Sequence, residues 1–128
     1  MTPVAAPKKI LIVDDDEQIR GILARRLASQ GLEVTQRPDG VEGLDAMNQE
    51  TFDCILLDLK MPKKDGVAVL RERPHTANAK TPVVVLTSMP NDLATGRAKE
   101  LGADCVLSKS ETSPTEVVET VTKEAMGN

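Results

Sequence analysis

Five times along this chain a short apolar run is followed by a stretch whose apolar residues recur at helical spacing. That alternation restricts the fold more than any single residue does. The runs are "KILIVD" (9–14), "LEVTQ" (32–36), "FDCILLD" (52–58), "PVVVLT" (82–87) and "DCVLS" (104–108). Runs of this length rich in Ile, Val and Leu suit strands buried on both faces, whereas the more polar 32–36 suits a sheet edge. Pro82 comes first in its run, where a missing N–H costs least.

The intervening stretches read as helices with recognisable ends. Residues 17–30 put Ile19, Ile22, Leu23 and Leu27 at helical spacing, and Gly31 stops them. Residues 39–50 put Val41, Leu44 and Met47 on one face, and residues 66–73 form a short helix halted by Pro74. Residues 91–101 carry Gly96 in their interior and end at Gly102. The last helix has the fullest start signal. Ser113 stands at the N-cap, Pro114 follows it, and Glu116 completes a capping box. Its inward stripe is Val117, Val118, Val121 and Ala125.

Strands alternating with helices predict an α/β fold: a single doubly wound five-stranded parallel sheet with five helices. Each parallel pair needs a crossover, and crossovers are right-handed. Five such units suit the flavodoxin-like strand order 2-1-3-4-5. The domain is expected over residues 9–126, after a disordered lead-in at 1–8 and before a tail at 127–128. Ligands of such sheets sit outside the carboxyl ends of the strands where the winding reverses, here between strands 1 and 3.

Composition narrows the class further. With 128 residues the chain can bury a real core, and with Phe52 as its only aromatic that core must be aliphatic. A net charge of −4 gives no drive toward nucleic acid or an anionic membrane. No stretch approaches the roughly 20 apolar residues that span a bilayer, and "MTPVAAPKK" has no apolar run of the secretion type. Cys54 and Cys105 lack C-x-x-C or metal spacing, so both are expected as reduced, buried small hydrophobes in a cytoplasmic protein.

The carboxyl ends of the runs hold the chemistry: Asp14 and Asp15, then Asp58, then Thr87 and Ser88, then Lys109 after Ser108. Three neighbouring carboxylates repel one another unless a cation sits among them or one takes a proton. Hard oxygen donors favour Mg²⁺. A carboxylate can also attack phosphorus, provided cations neutralise the oxygens in transfer. Lys109 can be one such cation, and the Thr87 hydroxyl can donate to a phosphoryl oxygen. Singly, each residue has an ordinary reading: a polar strand end, a strand closure, a surface lysine. Only the fold gathers them. Asp16 is placed to cap the next helix and Glu17 to favour its positive end. Asp65 with Gly66 reads as a turn and helix start. Lys60, Lys63, Lys64 and His75 read as solvated loop residues.

"ILIVDDDEQIR", "CILLDLKMPKKDG", "PVVVLTS" and "GADCVLSK", in this order and spacing, resemble the four signature segments of the bacterial two-component response-regulator receiver domain, of the chemotaxis-regulator kind. The resemblance spans residues 9–126. It implies an Mg²⁺-dependent phospho-acceptor in a phosphorelay. Asp58 would take a phosphoryl group from a histidine kinase or phosphotransfer protein. Asp15 would bind Mg²⁺ directly and Asp14 mostly through water, with Asp58 and the backbone carbonyl of Lys60 completing the set. Thr87 and Lys109 would contact the phosphoryl oxygens. Catalysis would extend to the protein's own phosphorylation and dephosphorylation, with no separate substrate turned over. The switched surface would lie near helix 4, strand 5 and helix 5 and bind an unidentified effector protein, with neither nucleic acid nor membrane as a direct partner. A weak homodimer through helices 4 and 5 is compatible with this, although no aromatic residue or large apolar patch argues for it. The chain ends directly after the fifth helix, which fits either a stand-alone receiver or a piece of a longer regulator.

Two positions depart from the family pattern. Ser110 stands where Pro usually follows the strand-5 lysine. A cis bond to a non-proline residue costs about 2.5–4 kcal/mol, so the Lys109–Ser110 bond is expected to be trans. Val106 stands where many receivers carry Tyr or Phe, so coupling from Thr87 must use another movement, such as one of helix 4 around Gly96. Two other functions remain open. A pseudo-receiver would bind proteins without phosphorylation. A haloacid-dehalogenase-like phosphatase is suggested by Asp14-x-Asp16, but Glu17 and Gln18 stand where that family has Gly-Thr.

Overall fold

Strands β1 (Lys9–Val13), β2 (Glu33–Arg37), β3 (Cys54–Leu57), β4 (Val83–Thr87) and β5 (Cys105–Ser108) pair in parallel in the order β2-β1-β3-β4-β5. Between and after them run α1 (Glu17–Ser29), α2 (Gly40–Gln49), α3 (Gly66–Glu72), α4 (Leu93–Glu100) and α5 (Pro114–Ala125). These coordinates are a computed structural model that describes residues 6–127. Residues 1–5 of the expected lead-in and residue 128 of the expected tail lie outside the described residues. The flavodoxin-like fold and strand order read from the sequence are those observed.

Alternation along the strands divides the core into two layers. Ile10, Ile12, Leu56, Val84 and Leu86 face α1 and α5, where they meet Leu23, Leu27, Val117 and Val121. Leu11, Val13, Ile55, Leu57, Val83 and Val85 face the other way, against Leu44, Met47, Val69, Leu70 and Ala98. The central strands β1, β3 and β4 are buried almost throughout, while β2 and β5 form the half-exposed edges. The full stripe expected of α5 is buried, and its Ser113–Glu116 capping box is formed.

Two residues expected on inward faces point outward. Ile22 is 40% exposed and Val41 45% exposed. In α1 the sheet side is taken by Leu23, Ala24 and Leu27, which lie farther round the helix. In α2 the approach is made at glycine: a Cβ on Gly43 would collide with the Val13 side chain. The backbone there lies too close to the sheet for Val41 to share that face. Cys54 is buried as expected, but Cys105, on the edge strand, is only half-buried. Helix α4 begins at Leu93 rather than 91, because Asp92 caps it by accepting the Thr95 N–H at 2.9 Å. Pro74 follows α3 inside a 3₁₀ turn, Arg73–His75, and His75 is exposed there.

Candidate functional site

Register brings the acids together. Val13 of β1 pairs with Leu57 of β3, and the Asp58 N–H donates to the Val13 carbonyl at 2.9 Å. Asp14 and Asp58 therefore leave the sheet side by side, and both are buried. Asp15 is exposed at the mouth. Asp14, Asp15 and Asp58 each bring a carboxylate oxygen within 4.8 Å of the others. On the other flank Thr87 pairs with Ser108, and the Lys109 N–H donates to the Thr87 carbonyl at 2.8 Å. That contact carries the lysine to the same rim. Its Nζ lies 3.1 Å from Asp14 Oδ2 and 3.4 Å from Asp58 Oδ2.

The loop after β3 is shaped for this rim. A Cβ on Gly66 would collide with the carbonyl of Asp58 and with Leu59, so only glycine lets α3 start this close beneath the site. Asp65 caps α3 by accepting the Ala68 N–H at 2.9 Å, the structural role its sequence context suggests. Asp16 likewise caps α1 by accepting the Ile19 N–H at 3.1 Å. Thr87 is buried, and its Oγ1 accepts the Met89 N–H at 3.1 Å.

Electrostatics follow from burial and crowding. Burial, then the neighbouring Asp14, pushes the Asp58 carboxyl up to about 6, and Lys109 only partly offsets this. Burial would pull Lys109 down, but the Asp14 and Asp58 carboxylates outweigh it and raise the ammonium above its ordinary value. Three carboxylates against one ammonium leave the rim with excess negative charge, and every donor is a hard oxygen. Such a set fits a small divalent cation of the Mg²⁺ kind.

Comparison with known proteins agrees with this geometry. Residues 10–122 match the response regulator receiver domain family. This chain belongs to that family. The receiver is 39% identical over 101 residues to the transcriptional regulatory protein CpxR of Escherichia coli K12, covering 79% of this chain but 42% of that protein. It thus spans less than half the length of that relative. Among solved structures, a CheY-like receiver domain protein from Methanospirillum hungatei superposes with a TM-score of 0.87 at 25% identity, over 95% of this chain and 96% of that one. A Burkholderia pseudomallei response regulator, described with a phosphorylated aspartic acid, calcium ion and citrate, superposes with a TM-score of 0.80 at 26% identity. It covers 94% of this chain and 69% of its own.

In this receiver the described residues contain no cis peptide bond, so Lys109–Ser110 is trans as expected. The Ser110 hydroxyl lies 3.1 Å from that of Ser108, and Lys109 still reaches both carboxylates. Val106 is half-buried and packs against the layer formed with α2, α3 and α4. Three loop lysines are more than solvated charges. Lys63, in the left-handed region at φ 69°, pairs with the buried Asp39 at 3.5 Å. Lys64 pairs with Glu72. The Lys60 Nζ reaches Met89 Sδ at 2.6 Å. Its backbone N–H approaches Asp58 Oδ1 at 3.4 Å. Sequence reasoning missed Arg20, whose Nη1 donates to the Asp14 carbonyl at 2.6 Å. Its signal was its place four residues after the Asp16 cap, closing the first turn of α1, from which a long side chain reaches back to the strand end. Among the described residues, no helix is long and apolar enough to cross a membrane.

Proposed function

We propose that this chain is a phospho-acceptor switch in which Asp58 takes a phosphoryl group from a phosphohistidine donor with Mg²⁺ at the acidic rim. The observation that supports it best is the contact of one ammonium, Lys109, with both buried carboxylates, beside a third carboxylate at the mouth. An Asp58 oxygen would attack phosphorus, the phosphorus–nitrogen bond of the donor would break, and the imidazole would keep the nitrogen's electron pair and take up a proton. At neutral pH Asp58 lies above its titration point near 6 and so is mostly the carboxylate this attack needs. Lys109 would move from bridging two carboxylates to holding the new phosphoryl oxygen. Thr87 accepts the Met89 N–H through Oγ1 and keeps its own hydroxyl proton to give to a second phosphoryl oxygen.

Asp15, Asp58 and the Lys60 carbonyl would hold Mg²⁺ directly, and Asp14 mostly through water. When bound, the ion would neutralise the phosphoryl oxygens during transfer. The Burkholderia relative carries a phosphorylated aspartic acid and a calcium ion, which favours a hard-cation site over a bare acidic cluster. The donor would be a histidine kinase or phosphotransfer protein in the cytoplasm. An effector protein would read the α4, β5 and α5 face.

Incubation with acetyl phosphate and Mg²⁺, followed by intact-mass measurement, tests this reading. The expected result is one phosphoryl adduct that Asp58→Asn abolishes. An adduct mapped to Asp14 would transfer the nucleophile to that residue, as in the phosphatase reading. No adduct from acetyl phosphate or from a phosphorylated kinase domain would leave a protein-binding module that is not phosphorylated.

A further inference from the structure

We propose that Arg20 is a positioning residue for the cation site: its guanidinium clamps the Asp14–Asp15 peptide and thereby aims Asp15 at Asp58. The inference rests on the Mg²⁺ reading given above. Strand β1 ends at Val13, and beyond it the Asp14 N–H still finds the Arg37 carbonyl of β2 at 3.1 Å. The Asp14 carbonyl has passed the last rung of the sheet and takes its bond from Arg20 Nη1 at 2.6 Å. The guanidinium is itself held on β2, where its Nε donates to Gln36 Oε1 at 3.2 Å. A planar fork fixed at two points holds a peptide plane in a way one flexible ammonium does not.

The hydrogen bonds that order this turn converge on Asp14. Its Oδ1 accepts the Asp16 N–H at 2.9 Å, and its carboxylate takes Lys109. Asp15 is exposed, and its direction follows from the plane of the peptide that joins it to Asp14. Repulsion from Asp14 and Asp58 drives the Asp15 carboxylate toward water when no cation is present. Rotation of the Asp14–Asp15 peptide is the path that would let it go, and the Arg20 bond to the Asp14 carbonyl blocks that rotation.

Position and charge make opposite forecasts. As a mere field, the Arg20 cation weakens binding of a dication, so its removal would tighten Mg²⁺. As a clamp it preorganises the ligands, so its removal loosens Mg²⁺ even though a positive charge is lost. Partners of metal ligands typically matter by about tenfold or more in affinity.

The test titrates the full chain with Mg²⁺ alone and follows amide shifts by NMR. It also measures hydrogen exchange of the Asp15 and Asp16 amides without metal. Arg20→Met is expected to weaken Mg²⁺ binding about tenfold and to speed that exchange. Arg20→Lys keeps the charge but not the fork, and should fall between wild type and Arg20→Met. Gln36→Leu frees one end of the guanidinium and should give a smaller loss of the same sign. Unchanged or tighter Mg²⁺ binding in Arg20→Met overturns the clamp. If Arg20→Met does not fold, Arg20→Lys and Gln36→Leu decide the matter by the same signs. A wild type that binds no Mg²⁺ overturns the cation reading instead, and the exchange rates of the metal-free variants then decide whether the clamp exists.

Discussion

At the amino ends of the strands, Asn78 is completely buried and each polar atom of its amide is used. Oδ1 accepts the Phe52 N–H at 2.7 Å and the Thr81 hydroxyl at 3.0 Å. Nδ2 donates to the Met47 and Glu50 carbonyls at 2.8 and 2.9 Å. Nearby, Asp53 accepts the Lys9 N–H at 2.7 Å and Asp104 the Val83 N–H at 2.8 Å, so carboxylates close the starts of β1 and β4. At the carboxyl ends of β1 and β3 the buried carboxylates Asp14 and Asp58 share one ammonium, Lys109, so their charges do not balance. The amino-rim side chains named here serve the fold, whereas at the opposite rim burial and the neighbouring Asp14 raise the Asp58 carboxyl. Buried polar groups stabilise when fully partnered and strain the fold when crowded with like charge. The contrast between the rims is that rule seen twice in one sheet.

The strongest challenge to this contrast comes from the amino rim. Asn78→Ala strands the Phe52 N–H and two carbonyls, and should cost about 3–4 kcal/mol in urea unfolding. The folded fraction should still accept a phosphoryl group from acetyl phosphate with unchanged yield. A folded Asn78→Ala protein that loses the adduct would show that the rims are not separable.

Next in size is a gain at the opposite rim. Asp58 keeps its proton up to about pH 6 in the native state, whereas the unfolded carboxyl releases it near its ordinary value. Between those points the native state binds more protons than the unfolded one, so this group's contribution falls as pH rises. Asp58→Asn should therefore stabilise the metal-free protein by about 1–2 kcal/mol at pH 7. The gain should fade toward pH 4. A gain independent of pH would remove crowding of charge as its cause.

The finest cut divides neighbouring acids. Asp16→Ala should cost about 1 kcal/mol through the lost cap of α1 and leave Mg²⁺ affinity nearly unchanged. Asp15→Ala should abolish most Mg²⁺ affinity while leaving thermal stability without metal unchanged or slightly higher. Equal loss of Mg²⁺ affinity in both would place the boundary between chemistry and capping one residue too early.

Much of this was legible in the chain. Apolar runs of strand length, separated by helical periods, carried the parallel sheet, because parallel strands need crossovers of that kind, and the number of units favoured its order. Caps were legible as well: Asp16, Asp65 and Ser113 act on N–H groups three residues away, and local chemistry of that sort is written in local sequence. The acids of the rim were found because each closes a strand. Harder to read were Ile22 and Val41, since periodicity gives the spacing of a stripe but not the rotation at which a helix docks. The close approach at Gly43 decides that rotation for α2. Arg20 and Asn78 were missed because their partners lie on other elements and are mostly backbone atoms, which leave no mark in a side-chain pattern.

By itself the sequence determined which segments are strands and helices and where several helices start. These depend on interactions across a few residues. Tertiary structure alone decided that Lys109 meets both Asp14 and Asp58 and that Arg20 reaches the Asp14 carbonyl. It also decided that the Asn78 amide is fully partnered while Asp14 and Asp58 share one ammonium. Those facts depend on strand register and helix docking, which bring together groups as far apart as 95 positions in the chain, as Lys109 and Asp14 are.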